Sequence, residues 1–132
     1  EALYADKIVF QCPASFKPAP ANLERMEHFF QRIERSSFTF IWEPRGEWHR
    51  ETIGQMCQRC NLVHAVDPFK ARPATRGLRY YRIHGVTGYR HQHRDEELEI
   101  LKERLAGNWP NYVLFNNMTM QEDAKRFVER LT

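Results

Sequence analysis

No stretch of the 132 residues approaches the ~20 apolar residues that a membrane-spanning helix needs. Cysteine is scarce and odd in number. Three thiols exclude a complete disulfide framework, so a reducing, cytoplasmic setting is the expectation. An excess of one charge is lacking too. Twenty Lys and Arg against 17 Asp and Glu leave a net charge of +3, too little to argue for nucleic acid by itself. There is no secretory leader pattern, no internal repeat and no low-complexity tract. The tight His-x-x-x-His and Glu-x-x-His spacings of many metal sites are missing as well. The chain opens Glu-Ala-Leu without a Met, which reads as a cut end.

What is present is aromatic and patterned. Aromatics make up 13% and charged residues 28%, a composition that supports one globular domain over 1–132. Five runs have the apolar, β-branched and aromatic make-up of strands buried on both faces: Lys7–Cys12, Phe38–Pro44, Leu62–Asp67, Leu78–His84 and Asn111–Asn116. Helical stripes separate most of them. Asn22 is placed to cap a helix bearing Leu23, Met26, Phe30 and Ile33. Ile53, Met56, Cys57 and Cys60 repeat at helical spacing after Trp48, which assigns both thiols to core packing. Asp95 is placed to cap a stripe of Leu98, Leu101 and Leu105. Thr119 and Glu122 form a capping-box pattern ahead of Ala124, Phe127, Val128 and Leu131. The resulting order is that of an α/β fold with a parallel sheet. The ten residues between Asp67 and Leu78 include Pro68, Pro73 and Gly77, so an irregular loop is expected there rather than a crossover helix.

Each strand ends in polar residues: Gln11, Glu43 and Arg45, Asp67, Arg82 and His84, then Asn116 and Asn117. Ligands of α/β folds bind at the carboxyl ends of strands. Side chains two apart share a face, so Glu43 pairs with Arg45 and Arg82 with His84 in direction. The strand ends are therefore expected to converge on one polar cluster. A network that merely neutralises the rim, with Glu43 paired to Arg82, is the structural alternative.

The phrases VFQCPASF, WEPRGEW, AVDPF, YYRIHG followed by Tyr89, and YVLFNNMTMQEDAKRF occur in this order over nearly the whole chain. Together they resemble the YecE-like uncharacterised family, catalogued as domain of unknown function seventy-two, and its archaeal branch in particular. The resemblance implies a TIM-type β/α barrel of which this chain covers strands four to eight. Glu1–Lys7 then corresponds to the end of the helix before strand four. Five strands cannot close an eight-stranded barrel. Open edges and an apolar inner face are the expected result, to be covered by lost strands, by a second polypeptide or by a second copy.

The family's recurrent polar positions match Gln11, Glu43, Arg45, Trp48, Asp67, Arg82, His84, Tyr89, Asn116 and Asn117. The loop Arg90-His-Gln-His-Arg94 departs from the tyrosines and small polar residues more usual there. The family has no established activity. The chemistry expected of these residues is acid–base work on a small polar or anionic substrate, by a hydrolase, lyase or isomerase. Arg45 and Arg82 would clamp a phosphate or carboxylate in the fixed fork of the guanidinium. Glu43 or Asp67 would act as base, with His84 as acid. Asn116 would donate to developing charge, Trp48 and Tyr89 would supply a stacking wall, and Gln11 and Asn117 would complete the substrate contacts. Glu43, Asp67 and His84 would also suit a divalent metal, which no local motif supports. A different class of function stays open. The basic, aromatic-edged loop Tyr89–Arg94 would suit a nucleotide or nucleic-acid module, and a non-catalytic barrel is the third possibility.

Overall fold

The computed structural model describes residues 3–132 and places nine elements: β1 (Lys7–Cys12), α1 (Pro20–Arg32), β2 (Thr39–Pro44), α2 (Arg50–Cys60), β3 (Val63–Val66), β4 (Arg79–Ile83), α3 (Asp95–Glu103), β5 (Asn111–Phe115) and α4 (Met120–Leu131). The fold class is α/β, a partial TIM-type β/α barrel with parallel strands. The chain divides into two compact units, Glu1–Ala65 and Val66–Thr132. The helix end expected over Glu1–Lys7 is not formed in the part that can be described. Leu3–Asp6 has no regular structure and Lys7 opens β1, while residues 1 and 2 lie outside the described residues.

In the first unit, β1 runs parallel to β2 in the register Phe10↔Trp42 and Gln11↔Glu43. β2 runs parallel to β3, with Trp42 opposite His64. Alternation along the strands sorts their faces. Phe10 meets Phe30 of α1 (5.1 Å) and Phe40 (5.0 Å) edge to face, and Phe40 meets Phe30 at a tilt (6.1 Å). Val9, Gln11, Ile41 and Glu43 therefore lie on the opposite face. α1 begins differently from expectation. Pro20 takes its first turn, where its missing N–H costs nothing, and Ala19 is the cap residue. Asn22 sits inside the helix and donates to the Lys17 carbonyl instead. In α2, Ile53, Met56, Cys57 and Cys60 are all buried, as the stripe requires. Asn61 then adopts the left-handed conformation (φ 52°), and the Leu62 amide closes back on the Cys57 carbonyl at 2.8 Å, which turns the chain into β3.

In the second unit, β4 runs parallel to β5 with Arg82 opposite Leu114 and Ile83 opposite Phe115. Tyr81 and Ile83 of β4, with Val113 and Phe115 of β5, pack on Leu98 and Leu101 of α3 and on Phe127 of α4. Burial of each such side chain contributes about 1.5–3 kcal/mol. Tyr80, Arg82 and His84 consequently face away from the helices, and so do Tyr112, Leu114 and Asn116. Asp95 is the first helical residue of α3 rather than its cap. Arg94 holds the cap position, and Glu97 reaches back to the Arg94 amide at 2.9 Å. Thr119 is the cap residue of α4, but its hydroxyl makes no cap bond to the helix backbone, so the expected capping box with Glu122 does not form. The stretch between Asp67 and Leu78 is irregular, as its prolines and glycine imply.

Candidate functional site

The first unit gathers polar groups at the end of β2. Glu43 is 5% exposed, and its Oε1 lies 3.2 Å from Arg45 Nη2. The shared direction of residues 43 and 45 survives Pro44. Gln11 is exposed beside Glu43 in the register of β1 and β2. Trp48 has a packing role: it stacks on Phe16 (6.2 Å) and meets Trp42 edge to face (5.1 Å). Trp42 in turn donates its indole N–H to Cys12 Sγ at 3.4 Å. Gly46 takes φ +84° and allows the turn to pass Ala14. A Cβ there would come within 3.3 Å of the Ala14 backbone. Behind this rim, burial drives the His64 imidazole pKa down to about 4. Arg50 adds to the effect and Glu43 opposes it. His64 is thus a neutral core residue. Burial, with the neighbouring Cys60, likewise pushes the Cys57 thiol up to about 12.

The second unit holds the other predicted residues. Asp67 is 9% exposed and is used locally. Its Oδ1 accepts from the Phe69 amide (3.0 Å), closing a turn at Pro68, and its Oδ2 accepts from the His84 amide (3.2 Å). The end of β4 is thereby fixed to the turn at Pro68. Asn116 Nδ2 stands 3.4 Å from His84 Nδ1. An amide donor at Nδ1 leaves the imidazole proton on Nε2. Arg82, half-buried, lies on the same face of β4 as His84. Tyr89 is 55% exposed, and its carbonyl accepts from the Met118 amide at 2.7 Å.

Asn117 is fully buried and turned inward. Its Nδ2 donates to Asp123 Oδ2 (2.7 Å), to the His91 carbonyl (2.8 Å) and to Thr119 Oγ1 (3.1 Å). The two histidines of the basic loop are also turned inward. His91 meets Glu97 at 2.8 Å and Thr87 at 3.1 Å, and His93 meets Asp123 at 2.9 Å. Both carboxylates sit below their usual range. Burial alone would raise each, but hydrogen bonds from His91 and Arg94 outweigh it at Glu97, and those from His93, Asn117 and Thr119 do so at Asp123. The sequence does not single out Asp123 or Glu97, and it marks His93 only as part of the basic loop Tyr89–Arg94. Only their partners, thirty residues away in the case of His93 and Asp123, mark them out. Among the described residues, no group of three His, Cys, Asp or Glu side chains is placed to hold a metal ion, and no helix is long and apolar enough to cross a membrane.

The family model "Protein of unknown function DUF72" matches residues 4–132. The chain belongs to this family. A crystal structure at 3.10 Å resolution of a DUF72 family protein from Enterococcus faecalis V583 superposes with a TM-score of 0.70 at 14% identity. The superposition covers 95% of this DUF72 chain and 58% of that one, so the two share the fold while this chain spans little more than half of that protein's length. No curated protein matches. DUF72 denotes a family without an assigned function, and no specific activity or substrate follows from membership.

Proposed function

We propose that the second unit carries an acid–base site for a small polar or anionic substrate at the ends of β4 and β5. His84 is its acid, Asn116 orients the imidazole, and Arg82 on the same strand face binds the anionic group. Tyr89 borders the substrate, and Asp67 fixes the His84 backbone while remaining the carboxylate base of this unit. The observation that carries the reading is the 3.4 Å approach of Asn116 Nδ2 to His84 Nδ1, beside Arg82 on a face turned away from the helices. A neutral imidazole that presents Nε2–H beside a guanidinium is suited to hydrogen-bond a developing oxyanion. As imidazolium, with its Nδ1–H turned to the Asn116 amide oxygen, the ring passes its Nε2 proton to the leaving oxygen. The reaction class is that of a hydrolase, lyase or isomerase. The first unit is read by itself: Glu43, oriented by Arg45, is its carboxylate base, with Gln11 beside it as a substrate contact. Trp48 supports that turn through Phe16 and Trp42, and Asn117 acts behind the site.

Three features motivate wider expectations. Leu114 of β5 is 40% exposed on an otherwise apolar strand, which suits a surface covered by further barrel strands, in this polypeptide, another one or a second copy. The free thiols of Cys12, Cys57 and Cys60 accord with a cytoplasmic setting. The inward-turned His91 and His93 leave the Tyr89–Arg94 loop with Arg90 and Arg94 as its outer cations, which disfavours a nucleic-acid role.

Isothermal titration with inorganic phosphate tests the site. Wild-type chain should bind saturably. Arg82→Ala should weaken binding by about 1.5–3 kcal/mol, the worth of a charge-assisted bond, with unchanged circular dichroism. Equal affinity in Arg82→Ala would remove Arg82 from the site. Loss of binding in Arg90→Ala together with Arg94→Ala would favour the loop instead.

A further inference from the structure

One carboxylate oxygen in the second unit collects an unusual number of donors. Asp123 Oδ2 accepts from Asn117 Nδ2 (2.7 Å), His93 Nδ1 (2.9 Å), Thr119 Oγ1 (3.0 Å) and the His93 amide (3.1 Å). Arg126 reaches Asp123 Oδ1 at 3.3 Å and donates to the His93 carbonyl at 2.7 Å. Asp123 and Asn117 are 0% exposed and His93 is 1%. His93 is also caged by rings: Phe69 stacks on it at 5.6 Å, while Phe115 (5.6 Å) and His91 (5.1 Å) meet it edge to face.

The donors come from two loops. His93 belongs to the loop from β4 to α3, which also carries His84 and Tyr89. Asn117 and Thr119 belong to the loop from β5 to α4, which begins with Asn116. Backbone bonds join the same loops: Asn116 N to the Ile83 carbonyl and Met118 N to the Tyr89 carbonyl, both 2.7 Å. Gly85 completes the arrangement at φ +86°. It packs so tightly that a Cβ would lie 2.1 Å from the Gly88 carbonyl oxygen.

We propose that Asp123 and His93 form a buried positioning pair that sets the relative placement of these two loops, and through them aligns Asn116 with His84. The proposal rests on the acid–base reading of His84 and names what holds that site in register. Asp123 accepts and cannot donate when ionised, so His93 carries its proton on Nδ1. The arrangement is not the simplest way to fill the space. Among the described residues, neither His93 Nε2 nor Asn117 Oδ1, both buried, has a hydrogen-bond partner. Leaving buried polar atoms unpaired is costly, and an apolar side chain in the Phe69–Phe115 cage would avoid that cost. What the polar pair supplies, and an apolar filler would not, is a directional side-chain bond from the loop before α3 to the first turn of α4, added to the main-chain contacts of the two loops and to the Asn117–His91 carbonyl bond.

The test uses the full chain and His93→Phe, a ring that fills the cage and removes only the Nδ1 bond to Asp123, the backbone amide bond being kept. Amide exchange at Asn116 and Met118 should accelerate about tenfold or more, the loss expected for one charge-assisted hydrogen bond. The 15N signals of the His84 ring should shift or broaden, and phosphate affinity should fall by a similar factor, while the unfolding midpoint holds or rises. His93→Gln keeps a donor toward Asp123 and should restore slow exchange. Should His93→Phe not fold, Asp123→Asn keeps the shape and is read the same way. Unchanged exchange and unchanged His84 signals in the variant that folds would overturn the proposal. So would failure of His93→Gln to restore them, since packing alone would then hold the loops. If the wild-type chain binds no phosphate but exchange responds as stated, the anion reading fails and the positioning pair stands.

Discussion

Acidification should unfold the protein partly through one core histidine. His64 is 6% exposed, and its pKa falls from the usual 6.5 to about 4, chiefly because burial disfavours the charged ring. A depressed folded value means that the unfolded chain takes up the proton first. The native state therefore has its full advantage above about pH 6.5 and loses it as pH falls toward 4. At about 1.4 kcal/mol per pH unit, the span from 6.5 to about 4 corresponds to about 3 kcal/mol. Urea unfolding of wild type and His64→Leu at pH 7.0, 6.0, 5.0 and 4.5 would read it out. Wild type should lose most of that amount over the series, and His64→Leu should lose little in the same window. Glu43→Gln removes the neighbour that favours the charged ring, so the loss should begin at the same pH and continue further down. Parallel pH profiles in wild type and His64→Leu would refute the argument that His64 is buried and neutral.

Other outcomes follow from the packing. Phe127→Ala opens the cluster around Tyr81, Ile83, Leu98 and Leu101 and should cost about 3–5 kcal/mol in chemical denaturation. In native protein at pH 8, a thiol reagent should label Cys12 first, and Cys57 only as fast as the protein opens, since its thiol is pushed up to about 12 and buried. Labelling of Cys57 at the rate of a free thiol would contradict its place in α2. Gly85→Ala should destabilise by about 1–3 kcal/mol and disturb the Met118 amide, because a Cβ meets the Gly88 carbonyl at an unfavourable φ. A fully stable Gly85→Ala would show that the loop turns differently.

Much of the fold is legible because the strands announce themselves. Lys7–Cys12 is observed over the very residues whose apolar run suggests it, and the other four strands lie inside their expected spans, trimmed at polar or turn-facing ends. The helix starts were less legible. Asn22 and Asp95 are good capping residues by type, yet Pro20 opens α1 earlier, and Glu97 fixes the cap at Arg94. Period-two alternation put Glu43 and Arg45 in one direction, and the two form an ion pair there. It could not foretell that Trp48 would stack on Phe16, which lies in a loop, or that Asn117 would turn inward while Asn116 meets His84. Asp123 looked like any acidic residue in the first turn of an amphipathic helix. Its importance comes from donors in two distant loops, which no local pattern encodes.

The central claim is that His84, Asn116 and Arg82 form one ligand-responsive cluster. Nuclear magnetic resonance titration of the chain with inorganic phosphate, following the His84 ring, the Asn116 side-chain amide and Arg82 Nε, tests it most directly. The account predicts saturable shifts at all three with one common affinity. Shifts confined to Arg90 and Arg94, or none at any of these groups, would contradict it.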